Sequence, residues 1–192
     1  MRKFARIMLV TVGMLAIVAT TAQGSTGIGL SSGSPVTATG RLTMNGSTIC
    51  SWSLTLNFPA TLRKAPGVNQ ATVSAGSISA CSSPIGVNSG VILTPFNIQY
   101  ASFTGSLPGI TGLNLKSPDF GFRLDAFSGF VRCLYGGNFT GMTLNIVGGT
   151  LRTATFATNR IPLVVGSGLC PADLTFAGTI TVQNVPPTVL LV

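Results

Sequence analysis

From residue 36 onward the chain alternates apolar residues with threonine, serine and asparagine over a succession of short segments. A period of two places one set of side chains on one face of a strand and the second set on the other. Nowhere beyond the first 22 residues do apolar positions recur at helical spacing with good helix formers between them, so helix is the minority state. The strongest alternation marks Val36–Met44, Thr48–Phe58, Ala71–Ala80, Gly90–Tyr100, Phe120–Phe127, Phe130–Tyr135 and Phe139–Val147, then Thr150–Ala157, Ile161–Val165 and Asp173–Gln183. Turn formers separate these runs at Asn45-Gly46, Ser83-Pro84, Asn88-Ser89-Gly90, Gly136-Gly137-Asn138 and Gly148-Gly149. About ten short strands with tight connections predict an all-β domain over residues 36–192, an antiparallel β-sandwich or barrel.

Three segments stand apart from this pattern. Residues 23–35 are rich in Gly and Ser and read as a flexible arm. The stretch Thr104–Pro118, with Pro108, Gly109, Gly112 and Pro118, is the longest break in the strand pattern, either a surface loop or the connection between two halves of the sheet. The closing Val189-Leu190-Leu191-Val192, after Pro186-Pro187, is a last edge strand or a segment that adds to a neighbour's sheet.

The first 22 residues differ from everything that follows. Arg2, Lys3 and Arg6 precede an apolar run from Ile7 to Ala19, and the small-residue stretch Ala19-Thr20-Thr21-Ala22 comes next. This is the layout of a secretory signal-peptide helix cleaved between Ala22 and Gln23. The apolar run is shorter than the roughly 20 residues a spanning helix needs. No cysteine lies near the cleavage point and the basic region has no adjacent arginine pair, which points to Sec-type bacterial export into the periplasm or beyond, without a lipid anchor. Removing 22 of 192 residues leaves 170, a length for one domain.

Export changes how the cysteines read. Cys50, Cys81, Cys133 and Cys170 all fall after the signal, an even number suited to two disulfides in an oxidising compartment. Sequential pairing, Cys50 with Cys81 and Cys133 with Cys170, places one bridge in each half between strands not far apart in sequence. Metal binding fits poorly, because no two cysteines are close together and the chain has no histidine.

Charge and chemistry narrow the function further. Charged residues make up 7% of the sequence; the formal charge of +8 falls to +5 when three of the 11 basic residues leave with the signal, because the three acidic residues stay. With no histidine and no glutamate, a Ser-His-Asp triad, a Cys-His pair or a histidine metal site cannot be built. A carboxylate pair would have to come from Asp119, Asp125 and Asp173, which read better as turn and surface charges. No enzyme activity and no cofactor are expected. Only Arg63-Lys64 are adjacent among the remaining basic residues, so nucleic acid is not an expected partner. A membrane-spanning barrel suits the alternation but would need aromatic girdles, which one Trp and two Tyr cannot supply.

What the chain has in quantity is apolar character, 45% of residues, with 11 phenylalanines. Phe96, Phe103, Phe120, Phe122, Phe127 and Phe130 concentrate mid-chain beside the loosest segment. They form either a core cluster or an exposed apolar contact surface.

The segments Thr37-Ala38-Thr39-Gly40-Arg41-Leu42-Thr43, Gly76-Ser77-Ile78-Ser79-Ala80-Cys81 and Cys170-Pro171 with Phe176-Ala177-Gly178-Thr179-Ile180 carry a family likeness. Together with Cys50, they resemble the alkane-oxidation protein activators, the PraB-like secreted proteins of bacteria, over most of residues 34–191. The resemblance implies a small exported protein without catalytic residues, associated with growth on long-chain hydrocarbons and their emulsification or surface contact. The expected function is therefore that of a secreted accessory protein touching hydrophobic small molecules, lipid or cell-surface polymers. The alternative is a structural subunit of an extracellular matrix, fibre or adhesive layer that self-associates by strand addition.

Overall fold

The computed structural model describes residues 28–32, 35–58, 66–84, 86–106, 109–184 and 186–191; the signal segment and its Ala22/Gln23 cleavage point lie outside them. Eleven strands form one antiparallel sheet: β1 Ile28–Ser31, β2 Val36–Met44, β3 Thr48–Asn57, β4 Asn69–Ser82, β5 Val87–Ile92, β6 Phe96–Ser106, β7 Gly109–Ala126, β8 Val131–Val147, β9 Thr150–Val165, β10 Asp173–Val182 and β11 Thr188–Leu191. Each of β2, β3 and β4 pairs with the next, β4 pairs with β5 and β6, and both of these pair with β7. The ladder continues through β8, β9 and β10, and β10 returns to β2 over Phe176–Val182. The sheet is thus a closed barrel, which removes its edges.

β5 and β6 lie end to end and share one place in the ring. The alternation of Gly90–Tyr100 predicts one strand there, but Leu93, Thr94 and Pro95 interrupt it, as proline cannot donate to a central ladder. Elsewhere the structure joins segments that the turn residues divide in the sequence pattern. Within the stretch Thr104–Pro118, whose residues 107–108 lie outside the described residues, Thr104–Ser106 end β6 and Gly109–Pro118 form much of β7, with Pro118 and Asp119 in an exposed bulge where the β7–β8 register breaks between Ser117 and Phe120. Gly136-Gly137 is not a turn, but pairs with Gly121 and Phe120 inside β8. Gly137 has φ 153°, a backbone conformation L side chains rarely adopt, so glycine here lets the strand bend. The arm 23–35 contains β1, which exists because β11 offers it a ladder partner.

Inward positions are mostly apolar and form one core; Thr48, Gln70 and Ser117 are buried polar residues beside it. Phe176 is the hub of its aromatic centre, with ring centroids 5.5 Å from Phe120 and 5.6 Å from Trp52, Phe122 and Phe139. Edge-on geometry dominates, as with Trp52 at 4.7 Å from Phe156, and favours the ring quadrupoles. Two glycines make room for these rings: Gly40 pairs with Trp52, and Gly178 with Phe156. Such alternation of small and large residues fills a narrow barrel.

The outward positions carry hydroxyls. One register row runs Asn145, Thr153, Thr181, Thr39, Ser53, Ser77 across six strands. Lateral hydrogen bonds link its members, Asn145 Nδ2 to Thr153 Oγ1 at 3.1 Å and Ser53 Oγ with Ser77 Oγ at 3.0 Å, a recognised source of cross-strand stability. No helix among the described residues is long and apolar enough to cross a membrane.

Both disulfides pair as the spacing suggested, Cys50–Cys81 and Cys133–Cys170. Ala80, at φ 47°, lies where the β3–β4 register shifts, between the pairs Ile49–Ser82 and Ser51–Ser79, and this bulge turns Cys81 toward Cys50.

Candidate functional site

One end of the barrel is formed by the β2–β3 hairpin at Asn45–Ser47, the start of β5, the β7–β8 turn and the loop Gly166–Ala172 between β9 and β10. The β7–β8 turn is a single 3-10 turn, Phe127–Gly129, in which Phe127, Ser128 and Gly129 all have positive φ, at 50°, 57° and 89°. Two consecutive non-glycine residues in the left-handed region cost on the order of 1–3 kcal/mol each, a cost met by surrounding structure and found most often at working sites. Here the surroundings are specific. Phe127 N–H donates to Gly86 O at 2.9 Å and Ser128 N–H to Asn88 Oδ1 at 3.0 Å. The Phe127 ring also lies so close to Gly86 that a Cβ there would sit 2.9 Å from it.

The turn holds apolar side chains in water. Phe127 is 53% exposed, Phe130 91% and Leu169, on the facing loop, 71%. Between turn and loop opens a cleft of about 370 Å³. Its walls are Val87, Leu124, Ala126 and Val131 on the strand side, and Leu169 and Pro171 on the loop side, with Tyr135 and Leu174 toward the barrel. A smaller hollow of about 120 Å³ shares Val87, Leu124, Pro171 and Leu174 and continues to Asn45, Ser47 and Thr48. The mouth is therefore apolar with one neutral polar lip. Its size lies at the lower end of ligand pockets.

The loop wall is tied down from three directions. Cys170 is bonded to Cys133 at the start of β8, Leu163 N–H donates to Ala172 O at 2.8 Å, and Tyr135 Oη–H donates to Pro171 O at 3.1 Å. Burial, and secondarily the negative charge of Asp173, push the Tyr135 phenol up to about 12; burial also raises Tyr100. The unfolded chain releases a tyrosine proton near pH 10, so Tyr135 contributes stability that is whole below that pH and is lost as pH rises from about 10 through 12. Tyr135→Phe is expected to remove the late step in the phenolate absorbance titration. It should also flatten the alkaline fall in stability, at a cost of about 1 kcal/mol at neutral pH for the lost hydrogen bond.

Of the six phenylalanines proposed as an apolar contact surface, the structure brings two to the mouth. Phe96, Phe120 and Phe122 are core residues instead, because each falls on the inward phase of its strand. Phe103 is 36% exposed but belongs to the end of β6, paired with Leu113 and away from the mouth. Leu169 and Val131 are mouth residues that sequence reading missed; Leu169, a lone large apolar residue in Gly166-Ser167-Gly168-Leu169-Cys170-Pro171, was the available signal. The three aspartates do not converge. Asp125 is held by Arg123 at 3.1 Å and Arg132 at 3.6 Å, Asp173 by Arg160 at 3.1 Å, and Asp119 lies exposed in the β7 bulge. Among the described residues no group of His, Cys, Asp or Glu is arranged to hold a metal ion.

No protein-family model, no curated protein and no solved structure matches this chain. Function is read from the barrel and its mouth.

Proposed function

We propose that this chain is an exported, non-catalytic accessory protein whose barrel mouth binds the apolar part of a hydrophobic or amphiphilic molecule, supporting contact with hydrocarbon-like substrates or their uptake. The observation that carries the reading is an apolar cleft lined by Phe127 and Leu169, both more than half exposed, with Phe130 standing 91% exposed at the same end of the barrel. A cluster of exposed large apolar residues at a concavity marks a binding surface. The neutral lip at Asn45, Ser47 and Thr48 suits an uncharged polar group at one end of the ligand. The three-part layout of residues 1–22, the two disulfides and the likeness to the alkane-oxidation protein activators support export and this ligand class.

The test is partition of the purified chain to hexadecane droplets, together with binding of a neutral fluorescent probe such as phenylnaphthylamine. The triple variant Phe127→Ser, Phe130→Ser, Leu169→Ser is expected to lose about tenfold or more in both, equivalent to about 1.4 kcal/mol, no more than burying one such side chain is worth. Phe103→Ser should leave both unchanged. Equal behaviour of the triple variant and the parent would refute the mouth as the binding surface.

A further inference from the structure

The two ends of the chain meet in a ribbon outside the barrel. Among the described residues β1 pairs only with β11, through Ile28–Leu191, Gly29–Leu190, Leu30–Val189 and Ser31–Thr188. β11 in turn touches the barrel by the single register pair Thr188–Thr150, with Val189 N–H to Gly149 O at 2.8 Å and Leu151 N–H to Pro187 O at 2.9 Å beside it. Val189 packs against the barrel core, and an open groove of about 380 Å³ lies between it and Ile110, Ile146 and Gly148. The roots of the two strands are fixed together. Asn184 accepts from Thr37 N–H at 3.0 Å and donates to Pro35 O at 2.8 Å, clipping the segment that leads to β11 against the start of β2.

Three consequences follow from this arrangement. The barrel closes through β10 and β2 without β1, so releasing β1 breaks no ladder of the ring. A two-stranded ribbon of this length has little stability of its own. Its sequences, Ile-Gly-Leu-Ser and Thr-Val-Leu-Leu, contain neither charge nor proline, the residues that normally guard an exposed edge against pairing with another chain.

We propose that β1 is an exchangeable strand and that its second partner is another copy of this chain, β1 of one copy pairing with β11 of the next. The contacts made are those already present within one chain, which is what makes strand exchange a low-cost route to assembly. The exchange is independent of ligand binding, because the ribbon roots at the Gly148-Gly149 end of the barrel and the mouth lies at the other.

The experiment mixes two forms of the chain that begins at Gln23, one carrying Gly29→Cys and the other Leu190→Cys, and oxidises the mixture. These positions face each other in the ribbon register. Held side by side at the millimolar effective concentrations of a paired segment, they are expected to give a mixed covalent dimer about tenfold above the control pairing of Gly29→Cys with Gly168→Cys. A second measurement needs no added cysteine: the unsubstituted chain should self-associate in light scattering, and deletion of residues 23–31 should abolish it. Mixed crosslinking at the control level, or self-association that survives the deletion, overturns the proposal.

Discussion

Replacing Gly40 with alanine is expected to destabilise the barrel by roughly 3 kcal/mol, at the upper end of typical overpacking costs, and to lower its melting temperature by roughly 6–12 °C for a domain of this size. The reason lies at the seam where β10 meets β2. A Cβ on Gly40 would overlap the backbone carbonyl oxygen of Thr179, and one on Gly178 would overlap that of Arg41. Neither obstacle is the end of a flexible side chain, so the strands themselves must part. The pairing they would disturb, Phe176–Met44 through Val182–Ala38, is the one that closes the ring. Opposite Gly40 lies the Trp52 indole, 2% exposed and packed edge-on against Phe156 and Phe176; it has no slack to absorb the shift. Gly168→Ala is the control, since a Cβ there meets nothing within 4 Å, and surface changes of that kind stay within about 0.5 kcal/mol. Thermal melts of the two variants beside the parent decide the matter. A Gly40→Ala protein that melts with the Gly168→Ala control would mean that the seam is looser than the register implies.

This seam also illustrates where sequence reading stops. The limits of β2 and β10 follow closely from alternation, and Asn45-Gly46, both at positive φ, turns β2 into β3 as its composition suggests. That these distant strands pair with each other depends on Gly40 and Gly178, which look like any two glycines in a chain with 24 of them. The same ambiguity explains Thr104–Pro118 and Gly136-Gly137: glycine and proline mark turns and also the bulges and bends of a coiled barrel strand, and only the partner strand distinguishes the two. The phenylalanines were more legible than their clustering suggested. Phe120 and Phe122 keep the period of two along β7 and so share its inward face, whereas Phe127 and Phe130 straddle Ser128-Gly129 and had to leave it. Leu169 reaches the mouth through a loop whose position is set by a disulfide, a long-range constraint that no local pattern carries.

That disulfide gives the second large effect. Removing either bridge, as Cys50→Ser with Cys81→Ser or Cys133→Ser with Cys170→Ser, is expected to cost about 3.5–4 kcal/mol by loss of loop-closure constraint, because the sequence separations of 31 and 37 are nearly equal. Their consequences at the mouth should differ. Cys50–Cys81 joins neighbouring strands that the β3–β4 ladder holds together anyway, so its loss lowers stability and leaves the cleft in shape. Cys133–Cys170 anchors the loop Gly166–Ala172, whose Leu169 and Pro171 form one wall of the cleft, and Gly166 packs against the bridge so closely that a Cβ would lie 2.6 Å from the Cys170 sulfur. Without it the loop keeps the Leu163–Ala172 and Tyr135–Pro171 hydrogen bonds, each worth about 1 kcal/mol net, too little to hold an apolar residue out in water in one place. Chemical denaturation should therefore show similar losses for the two double variants, while binding of the neutral apolar probe, measured where both are fully folded, falls several-fold only for the Cys133/Cys170 pair. Equal retention of binding by both would separate the loop from the site; equal loss would make the cleft a property of overall stability and not of the wall that Cys170 fixes.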